Sequence, residues 1–169
     1  VDPGLRQRLL ATSPLFRLDS EAGLQEHSLE VQLPFIQHAR PGARILPVTV
    51  AAWRLEDLLA AGTALASLLA GQEVTVVASS DMTHYESRQS AQAKDRMALD
   101  QIEALDAEGL YRTVAGHRIT MCGVIPVTIA LLAAVKLGAS KAHVQIYTDS
   151  GAVSGDIDQV VGYAGVIVS

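Results

Sequence analysis

Three short stretches carry residue types able to bind a metal, move protons or attack an electrophile. The first is Ser79-Ser80-Asp81-Met82-Thr83-His84-Tyr85, which follows a Val-rich run. In open α/β sheets ligands bind beyond the carboxyl ends of the strands. A carboxylate three residues ahead of an imidazole can orient the ring, or both can face one cavity. The plainer alternative is turn chemistry, with Asp81 as a cap and His84 at the surface. The second stretch is Thr120-Met121-Cys122-Gly123-Val124-Ile125-Pro126. It sets the chain's one cysteine at the start of an apolar helix, where the dipole favours a thiolate, the form that metals and electrophiles require. A buried, inert thiol is the alternative. The third stretch runs from Gln25 and Glu26-His27-Ser28 through Leu29-Glu30-Val31-Gln32-Leu33-Pro34-Phe35. Here Glu26 and His27 are either an acid/base pair or the cap of a helix that Pro34 bends or shortens.

One Asp, two His and one Cys are the ingredients of a transition-metal site, although their separation along the chain keeps spacing from proving it. Asp81, His84 and Cys122 are expected to converge on one cavity. Glu26 and His27 should border it, with Leu29, Leu33 and Phe35 or Ile36 turned into the core. A hydrolase or transferase would instead use Cys122 as nucleophile with His84 as its base. His38, His117 and His143 lack an acidic or thiol partner at ligand spacing and suit structural or solvent-facing roles. The sequence contains no Gly-x-Gly-x-x-Gly, Walker-type loop, Cys-x-x-Cys or Gly-x-Ser-x-Gly, so nucleotide-binding, zinc-ribbon, thioredoxin-like and α/β-hydrolase readings lose their usual support.

The elements that must position these residues alternate between β-rich and helical patterns. Short Val/Ile-rich runs at 44–50, 73–79, 143–148 and 160–168 predict strands. Amphipathic or apolar stretches at 2–10, 28–39, 55–69, 87–105, 107–116 and 125–137 predict helices, with Gly71, Gly116 and Gly138 near their ends and Gly62 as a weak point inside one. The expectation is an α/β fold, a three-layer αβα arrangement around a mostly parallel or mixed sheet, in a single domain spanning 1–169. The Gly-, Ser- and Asp-rich loop 149–158 is either the rim of a site or surface decoration.

Composition narrows the function classes. At 169 residues, with 49% hydrophobic and 18% charged residues and a net charge of -5, the chain can bury a core and lacks the basic surface that nucleic acid requires. A single cysteine excludes an intrachain disulfide framework and fits a reducing compartment, with the cytoplasm as the expected location. The most apolar run, 124–135, contains Pro126 and falls well short of the ~20 residues needed to cross a bilayer. Neither a secretory leader nor a lipidation signal is evident. The opening Val1-Asp2-Pro3, without an initiator Met, suggests an incomplete chain.

Taken in order, Glu26-His27-Ser28-Leu29-Glu30-Val31-Gln32-Leu33-Pro34-Phe35, Ser79-Ser80-Asp81-Met82-Thr83-His84-Tyr85, Cys122-Gly123-Val124-Ile125-Pro126 and Val161-Gly162-Tyr163-Ala164 resemble the motifs of the Memo family. These are the proteins also labelled AmmeMemoRadiSam system protein B. The first motif is long and specific; the others gain their weight from order and spacing.

The resemblance implies an αβα fold related to the LigB-like extradiol non-haem iron dioxygenases, with a metal pocket at one edge of the sheet. It implies Cys122 as a metal ligand, Asp81 and His84 as residues flanking metal and substrate, and Glu26 and His27 nearby. It also implies two further histidine ligands in segments upstream of the Glu-His-Ser motif. Neither segment is present, so the resemblance covers roughly the C-terminal three-fifths of a family member. The expected cofactor is iron or copper in a full-length protein, held weakly or not at all by this chain. Redox or oxygenase-type chemistry is the leading functional expectation. The alternative is a non-catalytic module whose pocket takes a peptide or small-molecule ligand. A radical SAM companion protein is expected by family association, and an apolar edge left without its neighbours favours homo-oligomers or a covering partner.

Overall fold

The computed structural model describes residues 1–19, 21 and 26–169. Gln25, at the head of the third stretch, lies outside them. The first element is α1 (Pro3–Thr12), capped by Asp2, whose Oδ1 accepts the Leu5 N–H at 2.8 Å, with Pro3 in the first turn. A 3-10 turn (Glu30–Gln32) leads into the short α2 (Leu33–Ala39). Pro34 has no N–H to give to a continuous helix, so the regular α-helix starts only one residue ahead of it. Next come α3 (Leu55–Leu69), β1 (His84–Glu86), α4 (Arg88–Glu103), α5 (Ala107–Gly116) and α6 (Val124–Lys136). The chain closes with β2 (Ala142–Asp149), a single turn α7 (Gly151–Ser154) and β3 (Val160–Val168).

The α/β class holds, and the principal helices fall where periodicity placed them. The strand pairing departs from expectation. The described strands form one sheet in the order β1-β3-β2, and both pairings are antiparallel, rather than the mostly parallel or mixed set expected. The segments 44–50 and 73–79, expected as strands, adopt no regular structure, and Val48, Val74, Val76 and Val77 are exposed. β-propensity favours a pleated backbone but does not supply the ladder partner that makes a strand.

The sheet has one packed face. Ala142, Val144, Tyr147, Ala164, Val166 and Val168 share one core with Leu99 and Ile102 of α4, Leu110 of α5 and Leu131 of α6, together with Met82 and Met121 from the loops before β1 and α6. Ile146, Tyr163 and Ile167 on the other face are exposed, so the second covering layer of an αβα arrangement is not among the described residues. A smaller core joins α3 to α6 through Leu58, Ala61, Ile125 and Ile129. Gly62 is not the weak point expected. A Cβ there would stand 3.0 Å from both the Ile129 carbonyl oxygen and Leu132 Cδ2, so the glycine lets the two helices cross closely. Gly71 and Gly138, at φ 70° and 102°, act as the expected helix stops.

A bulge in β2 sets which of its side chains face the helices. Val144 pairs with Val166 and Ile146 with Gly165, leaving Gln145 as an extra residue. The extra residue reverses the inward parity of the strand, so Tyr147 and Asp149 turn inward where strict alternation from Val144 would have turned Ile146 and Thr148.

Candidate metal centre

The 81–84 segment is held by four successive backbone N–H groups, donated to three parts of the molecule: the outer two to the 120–123 loop, the inner two to β3 and α4. Asp81 N–H points to Cys122 Sγ at 3.2 Å, and Met82 N–H goes to the Gly162 carbonyl on β3 at 2.9 Å. Thr83 N–H goes to Asp95 Oδ1 on α4 at 2.9 Å, and His84 N–H to Thr120 Oγ1 at 2.7 Å. Gly162 N–H returns a bond to the Thr83 carbonyl at 2.9 Å. Thr83 is fully buried and its Oγ1 has no hydrogen-bond partner, so backbone ties rather than its side chain fix the segment.

These ties bring Asp81, His84 and Cys122 together. One ligand atom from each lies within 4.8 Å of the others, and His84 Nε2 stands 3.6 Å from Asp81 Oδ2. Two ligands bonded to one ion at about 2.0–2.3 Å can be at most about 4.6 Å apart; the His84–Asp81 pair meets that span, and the three-residue cluster, bounded at 4.8 Å, would need a small inward movement to close on one ion. The His84 ring fits that role. Its Nδ1 lies 2.8 Å from the Thr120 carbonyl oxygen. A carbonyl only accepts, so Nδ1 carries a proton, and Nε2, on the Asp81 side, is the nitrogen left to ligate. A backbone carbonyl behind a ligating imidazole is the usual means of fixing its tautomer.

The thiol is positioned from the other side. Gly123 caps α6, and its N–H donates to Ser80 Oγ at 2.9 Å, while Ser80 Oγ–H donates to the Asp81 carbonyl at 2.6 Å. A Cβ at Gly123 would overlap the Ser79 carbonyl oxygen and the Ser80 side chain. The Cys-Gly pair is thus a steric requirement for closing the 120–123 loop onto 79–81. Cys122 is exposed rather than buried.

Tyr85, next to His84, has φ 56°, a strained value for a bulky residue. It sits where the β1–β3 register shifts, since His84 pairs with Val161 and Glu86 with Val160. The irregularity leaves the exposed Tyr85 ring edge-on to His84, with centroids 5.9 Å apart. Glu86 anchors the end of this strand. It accepts from Ser90 Oγ and Lys94 Nζ, both at 2.5 Å, and these bonds, Lys94's foremost, hold its carboxyl below the usual range.

The third stretch reaches the site through a residue not singled out in the sequence. Gln32 Nε2 donates to Ser79 Oγ at 3.1 Å. Glu26 instead closes its own turn, accepting the Ser28 N–H at 2.7 Å, and that bond holds its carboxyl below the ordinary range. His27 is exposed and passes its carbonyl to Val31 N–H at 3.1 Å. Among the described residues no hydrogen bond or ion pair joins Glu26 or His27 to the cluster. Phe35 is 74% exposed and so is not a core residue, whereas Leu29, Leu33 and Ile36 are half-buried.

Sequence reasoning also passed over Ser80, Thr120 and Asp95. The first two sit inside the quoted motifs as ordinary turn residues. Asp95 had a signal: on α4 it shares the buried stripe Ala91, Asp95, Ala98, Leu99, Ile102, and a carboxylate on an apolar helix face calls for a partner.

A family model described as "Memo-like protein" matches residues 1–167. The chain belongs to the Memo family. It is 40% identical over 168 residues to a MEMO1 family protein of Aquifex aeolicus, covering 99% of this chain and 62% of that one. It is 39% identical over 166 residues to a MEMO1 family protein of Methanothermobacter thermautotrophicus, covering 97% and 60%. A MEMO1 family protein of Methanosarcina barkeri is 38% identical over 171 residues, with 99% and 64% covered. The chain thus spans about three-fifths of the length of these Memo relatives. Among its described residues no helix is long and apolar enough to cross a membrane.

Proposed function

We propose that this Memo protein binds iron or copper at Asp81, His84 and Cys122 and belongs functionally with the non-haem oxidoreductases. The observation that carries the reading is the convergence of a carboxylate oxygen, an imidazole nitrogen and a cysteine sulfur within 4.8 Å, with the imidazole tautomer set for Nε2 ligation. Thiolate and imidazole donors suit copper and iron, whereas an all-oxygen set would suit magnesium or calcium. Bound there, such a metal supplies Lewis-acid and one-electron chemistry.

The chain's own residues have separable tasks. Cys122 is the anchoring ligand, and the Asp81 N–H orients its sulfur. In this chain His84 Nε2 and the Asp81 carboxylate complete a three-donor set. In a longer relative, where the resemblance implies two more histidines, the same His–Asp pair is released to hold substrate and pass a proton. Cys122 on the open side leaves room for a small-molecule substrate.

Elemental analysis after anaerobic loading and dialysis tests this. The expected result is bound iron or copper that is lost on Cys122→Ser and reduced on His84→Ala, with weaker retention than in a longer relative carrying the additional histidines. The same measurement separates the metal reading from a cysteine nucleophile, because bound metal should slow alkylation of Cys122. Wild-type protein that retains no metal, with its thiol alkylated at one rate whether or not metal is added, overturns the proposal.

A further inference from the structure

We infer that Asp95 is a positioning residue for the metal centre, acting through the Thr83 N–H to hold the Asp81–His84 segment in ligand register with Cys122. This rests on the metal-binding reading above and extends it to a residue that touches none of the ligands.

Asp95 is fully buried on α4. Its two carboxylate oxygens have separate partners. Oδ1 accepts the Thr83 N–H at 2.9 Å, and Oδ2 accepts the Tyr147 hydroxyl proton at 2.7 Å. Burial first, then the hydrogen bond to Asp95, pushes the Tyr147 phenol well above its ordinary pKa, so it remains a donor throughout the accessible pH range. Gly162 on β3 completes the arrangement, since any Cβ there would collide with Asp95 Oδ2. A helix, two strands and the site loop therefore meet at one carboxyl group.

The consequence for the site is mechanical. Of the four N–H groups that hold residues 81–84, the Thr83 N–H is the one donated to a carboxylate on a helix, and it lies between the two ligands this segment contributes, next to His84. A buried N–H stripped of its acceptor costs about 1–3 kcal/mol, and the segment would relieve that cost by shifting toward water. Cys122 is carried on the 120–123 loop, which is joined to this segment through the Asp81 N–H and the Thr120 contacts of His84, so a shift of the segment would strain or break those joints and change the spacing of the three ligand atoms. Groups one step removed from metal ligands commonly change affinity by about 10–100-fold when lost.

Cobalt(II) is a suitable probe, because thiolate coordination gives it a charge-transfer absorption. The Asp95→Ala variant, shown to be folded by circular dichroism, is expected to lose at least about tenfold in cobalt affinity. Asp95→Asn keeps an oxygen for the Thr83 N–H and should stay within about threefold of wild type, a rescue expected if acceptor geometry rather than local packing governs the site. The second readout needs no metal. In the metal-free protein, ¹⁵N spectra of the histidine rings, assigned with His84→Asn, should show His84 fixed with its proton on Nδ1 in wild type and Asp95→Asn, and a tautomer mixture in Asp95→Ala. If Asp95→Ala does not fold, Tyr147→Phe, which leaves Oδ2 unpartnered, takes its place with an expected loss of at least threefold and the same ring signature. A folded Asp95→Ala, or in its stead Tyr147→Phe, with wild-type affinity and a wild-type His84 spectrum overturns the inference. So does an Asp95→Asn variant as impaired as the alanine variant. Wild-type protein that fails to bind cobalt defeats the metal reading alone, and the metal-free His84 spectra then decide the positioning role.

Discussion

The site owes its geometry to pairs of residues in which one supplies chemistry and the next supplies access. His84 offers a nitrogen lone pair because the Thr120 carbonyl claims the opposite ring nitrogen at 2.8 Å. Cys122 is brought to Asp81 because Gly123 beside it has no side chain to strike the Ser79 carbonyl oxygen and Ser80. This yields a test that leaves every ligand intact. Gly123→Ala should destabilise the protein by about 1–3 kcal/mol, as overpacking against fixed neighbours does. It should also weaken metal retention, since relief of the clash requires the 120–123 loop to withdraw. Chemical denaturation alongside metal analysis checks both, and an alanine variant of wild-type stability would show that the contact is soft.

Among the elements, α4 links the site to the sheet at two points: Asp95 in its interior, and Arg88 at its first turn. Arg88 Nε and Nη2 each lie 2.8 Å from one oxygen of Asp149, at the end of β2. That two-pronged contact is the main reason the Asp149 carboxyl is held below its ordinary value. A carboxyl depressed in the folded state contributes stability that is fully present above its unfolded pKa of about 3.9 and is lost as pH falls through the lower folded value. Arg88→Met removes the cause of the depression, so its acid-unfolding midpoint should move to higher pH than that of wild type. An unchanged midpoint by fluorescence or circular dichroism would mean that Asp149 does not govern the acid limb. The same strand shows how a local irregularity reaches the site, because the extra residue Gln145 turns Tyr147 inward to meet Asp95.

At the scale of the whole molecule, the notable property is apolar surface without cover. Val74, Val76 and Val77 are exposed in a segment that makes no ladder, as are Ile146, Tyr163 and Ile167 on the outer face of the sheet. Exposed valines on an unpaired, strand-prone segment form a template for association. The chain is expected to self-associate as its concentration rises, and Val76→Lys should reduce that tendency without altering the circular dichroism spectrum. Sedimentation velocity over a concentration series tests this, and a monomer at every concentration would refute it.

The sequence by itself determined the principal helices, the family and the three residues, Asp81, His84 and Cys122, expected to meet in one place. Helical periodicity is local, so 55–69 and 107–116 coincide with α3 and α5 to the residue. The Asp-x-x-His and Cys-Gly motifs retain the residue types that the chemistry needs. Tertiary structure alone decided the rest, because each remaining feature depends on partners distant in the chain. Runs 44–50 and 73–79 have strand composition but no ladder partner among the described residues, whereas 160–168 finds two. Glu26 and His27 look as reactive in sequence as Asp81 and His84, yet Glu26 caps its own turn while Gln32 makes the contact to Ser79. Asp95 is an ordinary helix aspartate until Thr83, Tyr147 and Gly162, drawn from three separate segments, close around it.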